Sequence, residues 1–125
     1  MAGASSTLHE PVEVLGEAAI NLHRAIVSVQ EELEAVDWYN QRSLATTDTE
    51  LAAILAHHRD EEKEHAVMLL EWIRRHDPKF DEHMRTYLFT EESITAVERE
   101  AEHGEGEAPG AGSLQLGSLR GEELR

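Results

Sequence analysis

Glu62 and His65 stand three residues apart in "HRDEEKEHAVMLLEW", a run from His58 to Trp72 that opens in charge and closes as an apolar helix. A three-residue step on a helix puts both side chains on one face, so a carboxylate and an imidazole can meet there. Such a pair shares a proton or ligates a metal ion. The spacing alone is weak. The chain holds 21 Glu and 8 His, so about one match arises by chance, and a second does occur at Glu100 and His103.

Position is what singles out the first match. Steps of three and four through Leu51, Leu55, His58, Glu62, His65, Leu69, Trp72 and His76 trace a helix seam with apolar ends and a charged middle. Glu61 and Glu64 fall off that line. A carboxylate on a buried line protonates or finds a cation, because an unpaired charge there is costly. The upstream segment has its own seam: Val12, Leu15, Ala19, Leu22, Ile26, Val29, Leu33 and Val36. Beside it runs a seven-residue stripe, Ala18, Ala25, Glu32 and Tyr39, whose small members permit close helix approach. Folding the chain near Thr46 places Glu32 14 residues before the turn and Glu62 16 after it. At about 1.5 Å of rise per residue the two acids sit within about one turn of each other. Glu32, Glu62 and His65 therefore converge across antiparallel helices.

Three readings fit that convergence. One is a structural Glu–His hydrogen bond, and another is a mononuclear site built from His58, Glu62 and His65. The third treats the cluster as half of a di-iron carboxylate site. A four-helix bundle of that type takes one Glu from each of two helices and Glu-x-x-His from each of the other two. This chain offers one of each and only two long helices. A two-fold dimer completes both the bundle and the site, with four carboxylates and two imidazoles suited to iron or manganese.

The elements that carry these residues follow from local signals. A first helix is expected from about Pro11 to Ser43, with Gly16 a small penalty within it. "LATTDTE" breaks the chain, and Thr47 with Glu50 forms a capping box for a second helix that ends at His76 before Asp77-Pro78. A third, shorter helix follows through "KFDEHMRTYLF". From Thr90 the chain is polar, and from His103 it is rich in Gly and acid with no periodic face. The expected organisation is a flexible N-terminus (1–9), a helical hairpin domain (10–98) and a disordered tail (99–125). The fold class is all-α.

Composition narrows the function. The 125 residues carry 26 acidic against 11 Lys plus Arg side chains, a net charge of −15. That excess repels phosphate backbones and anionic membranes and favours collecting cations, so no nucleic-acid or membrane partner is expected. With no cysteine, disulfides, iron–sulfur clusters and thiolate zinc sites are excluded. "MAGASSTLHEPVEV" shows no basic segment followed by an apolar run, and no stretch is long enough to cross a bilayer, so a cytoplasmic location is expected.

Three stretches, "HRAIVSVQEELEAVDWY", "ILAHHRDEEKEHAVMLLEWIRR" and "RTYLFTEE", closely resemble the encapsulated ferritins of bacteria and archaea over roughly Glu10 to Glu98. The resemblance implies a ferritin-like bundle formed by dimerisation and a ferroxidase whose two irons lie between two subunits. It also implies a ring of ten chains made of five dimers. It carries over Glu32, Glu62 and His65 as ligands and Tyr39 as an aromatic beside the centre. Glu31, Glu34 and Trp38 match a site that attracts and gates incoming metal. His57, Glu61 and Glu64 match an outer patch for a cation such as calcium. The tail repeats Gly-Ser-Leu at residues 112–114 and 117–119, resembling the encapsulin cargo-loading peptide (about 112–120). Leu114, Leu116 and Leu119 would anchor it in a groove of the encapsulin shell protein. The implied protein is iron-storage cargo inside that nanocompartment. The rival reading is a non-catalytic metal-binding or structural cargo module.

Overall fold

The structure, a computed structural model, describes residues 7–105; the Gly-Ser-Leu repeats lie outside the described residues. Four helices appear among these residues and no strand: α1 (Val12–Ala45), α2 (Thr49–His76), α3 (Pro78–Tyr87) and α4 (Ile94–Glu105). None of them is long and apolar enough to cross a membrane. The chain divides after His76 into two units.

The first unit is the hairpin of α1 and α2. α1 is broken near its start, where Gly16 takes φ 84° and ψ 163°, a combination almost confined to glycine. Gly16 is thus a kink and not merely a weak helical position. The turn differs from the expected capping box. Asp48, not Thr47, caps α2: its Oδ1 accepts the Leu51 N–H at 3.0 Å, while its own N–H donates to Thr46 Oγ1 at 3.1 Å. A short carboxylate at this position also meets the positive end of the helix, which a threonine cannot match. Asp48→Ala should lower the stability of the hairpin by about 1 kcal/mol in a denaturant melt.

The contact faces are turned slightly from the expected seams and share Leu22, Val29, Val36, Leu55, Glu62 and Leu69 with them. Buried and half-buried residues of α1 follow Leu22, Ala25, Val29, Glu32, Val36, Tyr39 and Ser43; those of α2 follow Ala52, Leu55, Arg59, Glu62, Ala66, Leu69 and Ile73. The fully buried residues are Ala25, Val29, Ala66 and Ile73, and all four lie on these lines. Small alanines let the helices approach closely, so they win the interface from bulkier neighbours. Ile26, Leu33, Leu51, Ile54, Val67 and Met68 are left exposed on the single chain.

The second unit holds α3 and α4. Pro78 occupies the first turn of α3, and the Asp77 side chain accepts the Phe80 N–H at 2.9 Å, a proline-and-cap helix start. α3 stops at Tyr87, and Phe89 turns the chain with φ 65°. α4 corrects the expected tail boundary, since residues 99–105 are helical. Ser93 Oγ accepts the Ala96 N–H at 3.2 Å, capping the helix, and Val97 and Ala101 are half-buried on one face. Burial pushes the Tyr87 phenol pKa up, and the nearby charges of Glu98 and Glu102 add to it, which records the packing of α3 on α4.

Candidate metal centre

Glu32 comes from the middle of α1, and Glu62 and His65 come from the middle of α2. Both acids stand on the contact lines because the three–four step that buries Ala25, Val29, Ala66 and Ile73 passes through them. His65 lies just off its line, at the rim. His65 Nδ1 is 3.3 Å from Glu62 Oε1 and 3.5 Å from Glu32 Oε1. One ligand atom from each residue lies within 4.8 Å of the other two, and among the described residues this is the one three-residue group of metal-ligand types so arranged. The carboxyl side chains are about a quarter exposed and the imidazole nearly half. The group is open on one side.

Its electrostatics describe a site short of positive charge. A hydrogen bond between the two carboxyls, and after it partial burial, holds the Glu32 pKa above its ordinary value. The same hydrogen bond draws Glu62 below its ordinary value. The opposed shifts belong to the pair, whose two carboxyls titrate together. Partial burial pulls the His65 pKa down, but the Glu62 hydrogen bond and the charges of Glu32 and Glu62 outweigh it, and the net shift is upward. Glu32 and His65 thus hold their protons more readily than free side chains do. Oxygen and imidazole donors at this separation fit a divalent transition-metal ion such as Fe(II).

Metal uptake must expel those protons, so the sign of the pH dependence is fixed. Raised Glu32 and His65 pKa values mean more bound proton to displace as pH falls. Co(II) titrated into the metal-free protein should release protons, and its affinity should drop as pH is lowered from 7.5 toward 5.5. Isothermal titration in buffers of different ionisation enthalpy measures both effects.

The other expected site residues are placed as follows. The Tyr39 ring meets His58 edge-on at 5.3 Å, and the Arg42 guanidinium lies 5.3 Å from the Tyr39 centroid. Tyr39 therefore packs between the helices and is not in the three-residue group. His58 is also outside that group, so the mononuclear combination with Glu62 and His65 is not formed. Glu31, Glu34 and Trp38 are exposed on α1. His57 and Glu61 form an exposed pair at 3.7 Å, and Glu64 is exposed as well. Sequence reasoning missed one polar contact between the helices, Arg59 Nη1 donating to Asn40 Oδ1 at 3.0 Å. The available signal was a charged residue between Leu55 and Glu62 on the buried line.

Comparison with known proteins points one way. The EncFtn-like family matches residues 7–91. The "Encapsulated ferritin-like protein" of Rhodospirillum rubrum is 62% identical, over 98% of this chain and 94% of its own length. An "Encapsulin nanocompartment cargo protein" of Myxococcus xanthus is 33% identical, over 75% of this chain and 80% of its own. A crystal structure of a Nitrosomonas europaea protein, 61% identical, superposes with a TM-score of 0.67, covering 70% of this chain and 96% of that one. With the match spanning both helices that carry Glu32, Glu62 and His65, the chain belongs to the EncFtn-like family, the encapsulated ferritins.

Proposed function

We propose that the chain is a ferroxidase that oxidises Fe(II) to Fe(III) with dioxygen at a di-iron site between two subunits. We further propose that it acts as cargo of an encapsulin shell, which stores the product. The observation that carries this is the Glu32–Glu62–His65 group, whose ligand atoms lie within 4.8 Å of one another. Three donors leave an octahedral ion short of ligands, and the group is open toward the surface. A second chain would bring four carboxylates and two imidazoles together around two ions, which can share the carboxylates. The exposed Ile26, Leu33, Ile54 and Met68 side chains offer the apolar surface such a dimer needs.

Iron is the substrate here. Each Fe(II) gives up one electron, and dioxygen takes up the pair from two ions. Any proton held by Glu32 leaves as iron binds, because the carboxyl ligates in its anionic form. His65 contributes a neutral imidazole donor. Exposed Glu31, Glu34 and Trp38 on α1 form the approach that draws in and gates metal, aided by the net charge of −15. His57, Glu61 and Glu64 serve as an outer cation patch, with calcium the expected ion. Dimers assemble further, to a decameric ring, and Leu114, Leu116 and Leu119 of the tail dock in the shell. The names of the R. rubrum and M. xanthus relatives support the encapsulated role.

Metal stoichiometry tests the two-subunit site. Anaerobic Fe(II) loading followed by size separation and metal analysis should find two tightly bound irons per dimer, in dimer or larger fractions only. One iron per chain retained by monomers would contradict it.

A further inference from the structure

We propose that Arg59 and Asn40 are positioning residues for the metal centre: their hydrogen bond across the hairpin fixes the axial register that brings Glu32 to Glu62 and His65. This rests on reading that group as a metal centre. Arg59 occupies a place on the buried line of α2 where an apolar side chain would ordinarily stand, and its side chain is only 22% exposed. A guanidinium taken partly out of water is costly unless its N–H groups are used. Here Nη1 donates to Asn40 Oδ1 at 3.0 Å and Nε donates to Asp60 Oδ1 at 2.9 Å. Lys63 Nζ lies 3.2 Å from the same Asp60 oxygen. One end of the fork is thus anchored on α2 while the other reaches α1.

The register argument is geometric. Beside this bridge, the Tyr39 and His58 rings meet at 5.3 Å. Seven residues separate Glu32 from Tyr39, and seven separate His58 from His65. On antiparallel helices those spans are equal, about 10 Å each. The contacts at 39/58 and at 32/65 therefore hold in one axial alignment, and the bridge at 40/59 pins it. Among the described residues, no buried apolar side chain guards the turn side of the acids. Ala25 and Val29 precede Glu32, and Ala66 and Ile73 follow Glu62, so every fully buried residue lies on the side away from the turn. Apolar contact is non-directional and resists sliding weakly, whereas a guanidinium–amide hydrogen bond is directional. A slip of one residue moves Glu32 by about 1.5 Å against Glu62 and His65 together.

The test uses Co(II) as probe, reading its visible absorption and affinity in the full chain, with far-UV circular dichroism alongside. Asn40→Ala should weaken Co(II) binding about tenfold and alter its visible bands while leaving helix content unchanged. Asn40→Asp, which keeps an acceptor for Arg59, should bind within about twofold of wild type. Arg59→Met added to Asn40→Ala should cost nothing more, because the bridge is already gone. Wild-type affinity and spectrum in Asn40→Ala would overturn the proposal. So would an equal loss in Asn40→Asp, or losses that multiply in the double variant. Should Arg59→Met lose its helical signal, the Asn40→Ala and Asn40→Asp pair decides alone. Failure of the underlying reading looks different: the wild-type chain takes up no Co(II), or Glu62→Ala takes it up equally well.

Discussion

Glu62→Ala should lower the initial rate of aerobic Fe(II) oxidation by on the order of a hundredfold or more. Loss of a residue that merely supports a ligand already costs about 10- to 100-fold in affinity or activity, and Glu62 is itself placed to be a ligand. Its Oε1 lies 3.3 Å from His65 Nδ1, which in turn stands 3.5 Å from Glu32 Oε1. Glu32→Ala and His65→Ala should fall in the same range, and combining them should add little, since one missing ligand already disables the centre. The fold should survive. Glu62 is not among the residues packed in the Ala25–Val29–Ile73 core, so its removal takes no apolar contact from that core. Circular dichroism beside the oxidation assay separates the two effects. Wild-type rates in all three variants would remove the enzymatic assignment and leave the non-catalytic cargo reading.

The second large effect concerns the tail. Deleting residues 112–125 should reduce loading into a co-expressed shell protein to background, while the purified protein keeps its ferroxidase rate. Each tail loses conformational freedom on docking and so binds modestly by itself. The proposed ring would present many tails at once, and the resulting avidity would exceed single-tail affinity by about 10²- to 10⁴-fold. Leu119→Ala alone should therefore reduce loading only in part, because the earlier Gly-Ser-Leu copy remains. Shell content is measured by co-purification and gel densitometry. Full loading of the deletion variant would assign recruitment to the helical domain.

How far the sequence foretold these features depended on the physical signal each one carried. The hairpin was legible because two long three–four patterns met at "LATTDTE", and similar distances from that turn, 14 and 16 residues, matched Glu32 with Glu62. The contact faces were displaced because counting large apolar residues favours Ile26, Leu33 and Leu51. Close helix approach instead rewards the small Ala25 and Ala66, and the larger residues are left on a face that a single chain does not cover. Gly16 was underestimated because a glycine in a helical pattern shows its permissiveness and not the φ it adopts. α4 went unseen because its start depends on one serine cap and its face on a few small or aliphatic residues in an acidic stretch. Arg59 was invisible for a different reason. A single-residue polarity scale scores it as surface, and its Asn40 partner lies 19 residues away on the other helix.

The most direct test of the central claim is anomalous scattering at the iron edge from an iron-soaked crystal. The account predicts two iron peaks astride a two-fold axis, each within bonding distance of carboxylate oxygens and an imidazole from Glu32, Glu62 and His65 of two chains. Those three side chains pointing into bulk solvent, with no iron and no symmetry-related subunit beside them, would contradict it.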